Sequence, residues 1–114
     1  MFKFVHDAQS RIVYRYPAVP NIRETTGGRG RVKKRTGWDV DMWIDITRAD
    51  NRLVLTQWQY KIGEVPTQSF DARYDREQAI SYFLLHHAPR GAEITESEYE
   101  QLQTEYEAEA RARP

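Results

Sequence analysis

Residues 27–46, with the sequence GGRGRVKKRTGWDVDMWIDI, contain the side chains whose types and spacing come closest to a chemical site. Glycine amides approach phosphate groups closely, and two carboxylates on one side of a strand are suited to Mg²⁺. Asp39 and Asp41 are two residues apart, so on a strand they project from the same side. The segment therefore offers either binding of an anionic group by its cations or metal-assisted chemistry by its carboxylates.

The spacing from the glycine pair at 27–28 to Asp39-Val40-Asp41 resembles the nucleotidyltransferase signature, in which a Gly-Gly or Gly-Ser pair precedes an Asp-x-Asp strand. The resemblance implies a divergent enzyme that contacts a triphosphate with the glycines and holds Mg²⁺ with Asp39 and Asp41. The chain departs from that family in three respects. The residues PNIRETT before the glycines are not an apolar strand, and the run LVLTQWQYKI supplies no third carboxylate. In addition, a hairpin is expected where the family has a helix.

The aspartates also fit an interpretation without catalysis. Asp39, Asp41 and Asp45 alternate with apolar residues, which predicts the solvated face of a strand whose other face is buried. Lys61 of the following run would then lie beside Asp39. Because no nucleophile motif and no Walker-type lysine accompanies them, we favour a protein without catalytic residues or cofactors, with Asp39 and Asp41 as the alternative metal site.

A net charge of zero conceals two oppositely charged segments. Residues 23–35 contain six basic side chains and one acid, a net charge of about +5, whereas residues 93–114 contain seven glutamates and two arginines, about −5. This asymmetry indicates a charged partner, or two segments that face each other. We assign the binding of an anionic partner to the basic residues Arg29, Arg31, Lys33, Lys34 and Arg35.

Nucleic acid is one candidate for that partner. A glycine-containing Arg/Lys loop can follow phosphates, and the release of their counterions supplies affinity that falls with salt. The pI near 6.8 is below the basic range usual for nucleic-acid-binding domains, and an aspartate face beside the loop would repel a phosphate backbone. Binding of nucleic acid through residues 29–35 is therefore an alternative hypothesis.

An aromatic residue on the polar side of the predicted strand suggests a protein interface. Trp43 would share its side of the sheet with Leu53 and Leu55 of the next strand, and such aromatic-aliphatic patches anchor interfaces. The other interpretation is that a helix covers this side and makes the three residues part of the core.

Length and composition predict one packed α+β domain over residues 1–114. The chain is 39% hydrophobic and 12% aromatic and has no cysteine, so a core is expected and thiolate metal sites are excluded. No apolar run is long enough to span a bilayer, and the N-terminal residues lack the apolar core of a signal peptide. We expect a cytoplasmic protein without membrane contact.

The predicted elements are four strands followed by two helices. Two hairpins form an antiparallel sheet of about four strands, with a long, basic, glycine-rich loop at 21–37 between them. Asp75 with Gln78, and Thr95 with Glu98, predict capping boxes at the starts of the two helices. The second helix, within the acidic segment 94–114, has a narrow apolar seam formed by Tyr99, Leu102, Tyr106 and Ala110.

The strongest strand signal runs from Trp38 to Thr47, with apolar side chains at the even-numbered positions up to Ile46. A three-residue turn at 49–51 would pair this strand with residues 53–62. The pairing opposes Trp38 to Ile62 and Val40 to Tyr60, and it continues with Val54, Thr56 and Trp58. The buried faces of the two strands then match.

Together these features predict a small non-enzymatic accessory or inhibitory protein. It would bind a larger protein or nucleoprotein partner with the basic loop and with Trp43. Small size, segregated charge and the absence of a catalytic motif fit proteins of this type carried by phages and mobile elements.

Overall fold

A computed structural model describes residues 1–28, 30, 34–50, 60–64 and 67–112. These residues form eight strands and two helices, and every strand pair with a described register is antiparallel, so the predicted α+β class is confirmed. The elements are β1 Phe2–Asp7, β2 Ile12–Pro17, β3 Asn21–Gly27, β4 Lys34–Asp41, β5 Trp43–Arg48, β6 Tyr60–Glu64, β7 Gln68–Asp71, α1 Arg76–His87, β8 Ala92–Glu93 and α2 Glu96–Ala112.

The strands form two sheets, and the chain divides into two compact units that each contain one sheet and one helix. Unit 1 comprises Met1–Ala18, Trp43–Gly63 and Pro89–Pro114, with the sheet order β6-β5-β2-β1-β8 and helix α2. Unit 2 comprises Val19–Met42 and Glu64–Ala88, with the sheet order β3-β4-β7 and helix α1.

In unit 1, α2 packs on one face of the sheet, against β1, β2 and β5. The predicted first hairpin is confirmed, since Phe4 pairs with Arg15 and His6 with Val13. The core beneath α2 is formed by Val13, Ala49 and Tyr106, with Ile94 and Leu102 packed against it. The predicted helix seam is also confirmed, because Tyr99, Tyr106 and Ala110 are buried.

In unit 2, α1 packs against the central strand β4. The capping box predicted from Asp75 and Gln78 is present, and each of the two residues accepts a backbone N–H of the other. The helix buries Ala79, Ile80 and Phe83, while β4 buries Trp38 and Val40. Trp38 also donates from its indole Nε1 to the Tyr74 carbonyl, at 2.7 Å.

The prediction of a long loop at 21–37 is wrong. Residues 21–27 form β3, which pairs with β4 from Asn21↔Asp41 to Gly27↔Lys34. The sequence gives no periodic signal here because β3 lies at the sheet edge and none of its residues is fully buried. Its backbone pairing with β4, rather than an apolar face, makes it a strand.

The prediction of one continuous strand from Trp38 to Thr47 is also wrong. The strand ends at Asp41 and restarts at Trp43, so its two halves belong to different sheets. Trp38 and Val40 have neighbours on both sides, in β3 and β7, and therefore do not pair with Ile62 and Tyr60. The other predicted partners, Val54, Thr56 and Trp58, lie outside the described residues.

Neither helix found in the described parts of the chain has the length and apolar character needed to cross a membrane.

Candidate functional site

The β3–β4 hairpin carries the described part of the predicted anion-binding segment. Strand pairing ends at Gly27↔Lys34, and the glycines at 28 and 30 have φ angles of 137° and 67°, which side-chain-bearing residues rarely adopt. The glycines are therefore required by the backbone of this turn. Of the predicted cations, Lys34 and Arg35 begin β4, whereas Arg29, Arg31 and Lys33 lie outside the described residues.

A β-bulge determines the side of the sheet on which Arg35 lies. Thr25 pairs with Gly37 and Thr26 with Arg35, so Thr36 is the extra residue on β4. The extra residue reverses the alternation of side chains between the two faces of the sheet, so that Arg35 projects from the same face as Trp38. The Arg35 guanidinium lies over the Trp38 ring, 4.7 Å from its centroid. Arg35 also donates from Nη2 to the Ala72 carbonyl at 3.1 Å.

Lys34 and Arg35 are both exposed. Within the described ranges, neither forms an ion pair with a carboxylate. Arg35 uses one of its five N–H donors in the contact with Ala72, and the others remain available. The end of the hairpin therefore presents two uncompensated cations, one of which is held in place by neighbouring groups.

Asp39 and Asp41 lie on one side of β4, as predicted. Asp39 accepts a hydrogen bond from the Ser69 hydroxyl at 2.8 Å, and Asp41 accepts one from Thr67 at 3.4 Å. The residue of β3 opposite Asp39 is Arg23, a cation. Across the described ranges, no three histidine, aspartate or glutamate side chains are grouped so that they could hold a metal ion.

The prediction that Asp45 lies on a solvated face is wrong. Asp45 is only 4% exposed, on the side of the unit 1 sheet that α2 covers. Its Oδ2 accepts hydrogen bonds from Nε and Nη2 of Arg15, the residue opposite it on β2, with the Nε bond at 2.8 Å. The carboxylate is therefore a partner of Arg15 within the fold and not a surface group.

Beside this ion pair, an open cleft of about 290 Å³ lies between residues of the sheet and residues of α2. The glutamates Glu96, Glu100 and Glu107 of α2 line it together with Phe4, Arg15, Asp45, Tyr99 and Gln103. Burial raises the pKa of the Tyr99 hydroxyl, Arg15 lowers it and Asp45 raises it further. Tyr99 therefore stays protonated at neutral pH.

Trp43 is half-buried by residues of its own unit. Its ring lies 5.6 Å from the Phe2 ring, and the Arg15 guanidinium lies 5.7 Å from its centroid. Phe2 is itself 45% exposed, so the two rings form a small aromatic surface at one end of the sheet. Leu53 and Leu55, the predicted companions of Trp43, lie outside the described residues.

Sequence analysis did not predict the aromatic ladder of unit 2, which consists of Phe70, Tyr74 and Tyr82. The Tyr74 and Tyr82 rings are stacked, with centroids 5.2 Å apart and an interplanar angle of 17°, and Phe70 lies 6.0 Å from Tyr74. The ladder joins β7, the loop after it and α1. No single periodicity spans three such elements, and therefore no sequence pattern indicates that the rings meet.

Comparison with protein-family models, curated proteins and solved structures found no match to this chain.

Proposed function

We propose that this protein acts without chemistry of its own, as an accessory or inhibitory protein that binds a larger protein or nucleoprotein partner. The partner's contact surface is anionic, and the end of the β3–β4 hairpin binds it. The observation that carries this proposal is the presence of two exposed cations, Lys34 and Arg35, without carboxylate partners among the described residues.

The fixed position of Arg35 favours binding over simple solubilisation. A free arginine loses considerable rotamer entropy when it binds a ligand. The contacts of Arg35 with Trp38 and with the Ala72 carbonyl restrict the side chain beforehand, which lowers this entropic penalty. Guanidinium groups also suit anionic oxygens because they donate two parallel hydrogen bonds.

Trp43 and Phe2 supply a second contact surface in this proposal. Exposed aromatic residues are enriched among the residues that dominate interface energies. The two rings already contact each other and the Arg15 guanidinium, so little side-chain conformational entropy is lost when a protein covers them. This surface would contact a protein component of the partner.

Asp39 and Asp41 are assigned to the strand surface in this proposal. Their hydrogen bonds with the Ser69 and Thr67 hydroxyls are typical of solvated carboxylates on a sheet. An Asp39→Asn variant is consequently a useful control, since it changes a charge on β4 and leaves Lys34 and Arg35 in place.

The proposal is tested by retention of the tagged protein's partners from lysate of the source cells, followed by elution with increasing salt. The double variant Lys34→Ala/Arg35→Ala should release its partners at lower salt, because fewer counterions are displaced on binding. Lys3→Ala/Arg48→Ala removes the same charge from unit 1 and should elute like the native protein. Equal elution of both double variants and the native protein would overturn the role of the hairpin.

A further inference from the structure

We propose that the group bound by the hairpin is single-stranded nucleic acid, with a base stacked on Tyr82 and a phosphate in contact with Arg35. This inference rests on the proposed function and specifies its partner. It depends on a juxtaposition within unit 2: Arg35, near the start of β4, lies beside the backbone of the aromatic ladder of Phe70, Tyr74 and Tyr82.

The ladder presents an oriented ring at the surface. Tyr74 stacks on one face of Tyr82, and the part of the chain that the structure describes gives Tyr82 no second ring contact. Tyr82 is nevertheless 45% exposed, although the next residue of α1, Phe83, is buried. A base that stacks on Tyr82 would extend an existing stack, and aromatic rings held in this way bind bases of any sequence.

Two hydrogen bonds connect Arg35 and the Trp38 ring beneath it to the backbone of the ladder. Arg35 donates to the carbonyl of Ala72, which lies between Phe70 and Tyr74 in the chain. Trp38, the residue over which Arg35 lies, donates to the carbonyl of Tyr74. Arg35 and the ladder are thus linked through the backbone of residues 72–74, and a strand of nucleic acid could contact both at once.

The bulge at Thr36 also explains why the aspartates do not oppose this binding. Asp39 and Asp41 project from the face of β4 opposite to Trp38, because adjacent side chains of a strand alternate between faces. Arg35 lies on the Trp38 face as a result of the bulge. A phosphate would therefore meet Arg35 on the face of the sheet opposite to the carboxylates, whereas Lys34, the next residue along the strand, projects from the aspartate face.

Two further arginines are close to the ladder in the chain, Arg73 next to Tyr74 and Arg76 at the start of α1, although both have acidic neighbours. Arg73 is 89% exposed and pairs with Asp71 at 3.2 Å, and Arg76 pairs with Glu77 at 3.5 Å. Exposed ion pairs of this kind contribute little to stability, so a phosphate can replace the carboxylate at small energetic cost. Arg73, next to Tyr74 in the chain, can therefore add a cationic contact to that of Arg35.

The chemistry favours an unpaired strand over a duplex or an acidic protein. The bases of a duplex are stacked on one another and expose only their edges, whereas a single strand offers free base faces to an aromatic ring. An acidic protein surface would satisfy the cations but would give the stacked rings no planar partner.

Fluorescence anisotropy with a labelled oligothymidylate tests the inference directly. Tyr82→Ala should weaken binding roughly 5- to 150-fold, which corresponds to the loss of one base-stacking ring, and Tyr82→Phe should bind like the native protein. Leu85→Ala is the matched control, since it removes another exposed apolar side chain from α1 and should leave binding unchanged. Tyr82→Leu repeats the test with a larger side chain if Tyr82→Ala lowers stability.

The outcomes separate this inference from the proposed function. One possible result is salt-dependent binding that is weakened by Lys34→Ala/Arg35→Ala and unchanged by Tyr82→Ala. That result would support anion binding by the hairpin and overturn the base-stacking role of Tyr82. Equal affinity for the single strand and for its duplex would overturn it as well. A protein ligand is indicated if Leu85→Ala and Tyr82→Ala weaken partner retention alike while oligothymidylate does not bind. Partner retention that Lys34→Ala/Arg35→Ala leaves unchanged would instead overturn the proposed function.

Discussion

Arg35 is exposed and charged, and the direction of its side chain depends on two uncharged groups, the Trp38 ring and the Ala72 carbonyl. The Trp38 ring lies beneath its guanidinium and the Ala72 carbonyl fixes one of its N–H groups, so the side chain has a defined direction before any ligand arrives. Sequence analysis assigned Arg35 to an anion-binding segment from charge alone. It could not predict the direction, which results from a bulge and from a carbonyl 37 residues away.

Gly37 is required because β4 and β7 approach closely at this position. A Cβ atom at Gly37 would lie 2.1 Å from the Phe70 carbonyl oxygen, a backbone atom that cannot move aside easily. Gly37→Ala should lower the free energy of unfolding by about 1–3 kcal/mol, as overpacking does elsewhere. Urea denaturation measures the change, and Gly30→Ala is the comparison, since no atom lies within 4 Å of its Cβ and only about 1 kcal/mol of backbone strain is expected.

Asp45 is the residue whose environment differs most from its predicted one. Asp45→Asn should lower the free energy of unfolding by about 1–3 kcal/mol, because it weakens two hydrogen bonds to Arg15 at a buried position. Glu77→Gln, in an exposed pair with Arg76, should change it by less than about 0.5 kcal/mol. Similar midpoints in thermal denaturation for both variants would contradict a structural role for the Arg15–Asp45 pair.

At the scale of elements, the helices were predictable because their signals are local. The capping boxes at Asp75 and Thr95 each involve residues three apart, and both are present. Strand β3 was not predictable, since an edge strand without a buried face leaves no apolar alternation. The break between β4 and β5 at Met42 was not predictable either, because the apolar alternation is present on both sides of it. Val40, Met42 and Ile44 are all buried, so the alternation continues across two different sheets.

The cap of α2 gives a prediction about that helix. Thr95→Ala removes the hydroxyl that accepts the Glu98 backbone N–H at 3.1 Å, and should lower the free energy of unfolding by about 1 kcal/mol, while Thr95→Ser should retain it. The hydrogen bond from the Thr95 backbone N–H also lowers the pKa of Glu98. Its stabilising effect is therefore present above the ordinary glutamate pKa, near pH 4, and is lost as the pH falls through the lowered value.

Denaturation of both variants at neutral and at acidic pH checks these expectations. The difference between Thr95→Ala and the native protein should narrow as the pH falls from about 4 through the lowered pKa of Glu98, because below that value Glu98 is protonated in both. A difference that is the same at both pH values would show that the charge of Glu98 does not contribute to the cap.

For the whole molecule, burial of tyrosines predicts a loss of stability in alkali. Desolvation raises the pKa of Tyr14, Tyr16, Tyr99 and Tyr106 above the ordinary value. The folded chain therefore keeps protons that the unfolded chain releases near pH 10, and stability decreases as the pH rises from there through the raised values. Tyrosinate absorbance should appear at higher pH in the native protein than in urea. Coincident titrations would contradict the burial of these hydroxyls.

The positive charge of the candidate site could be predicted from the sequence, whereas the aromatic residues beside it could not. The basic run at 29–35 stands out in the sequence because six cations accompany one acid between Arg23 and Arg35. The neighbouring ladder unites Phe70, Tyr74 and Tyr82 from three elements, and their meeting depends on how α1 packs against β4. Tertiary packing of this kind leaves no local pattern.

The division of the chain into interleaved segments has a consequence for biosynthesis. Every residue of unit 2 precedes Pro89, whereas β8 and α2 of unit 1 follow it. On the ribosome, the basic hairpin and the aromatic ladder can thus reach their native contacts while Val13 and Ala49 still await the helix that shields them. A nascent chain at that stage would have unit 2 complete, whereas unit 1 would need a chaperone or other protection against aggregation.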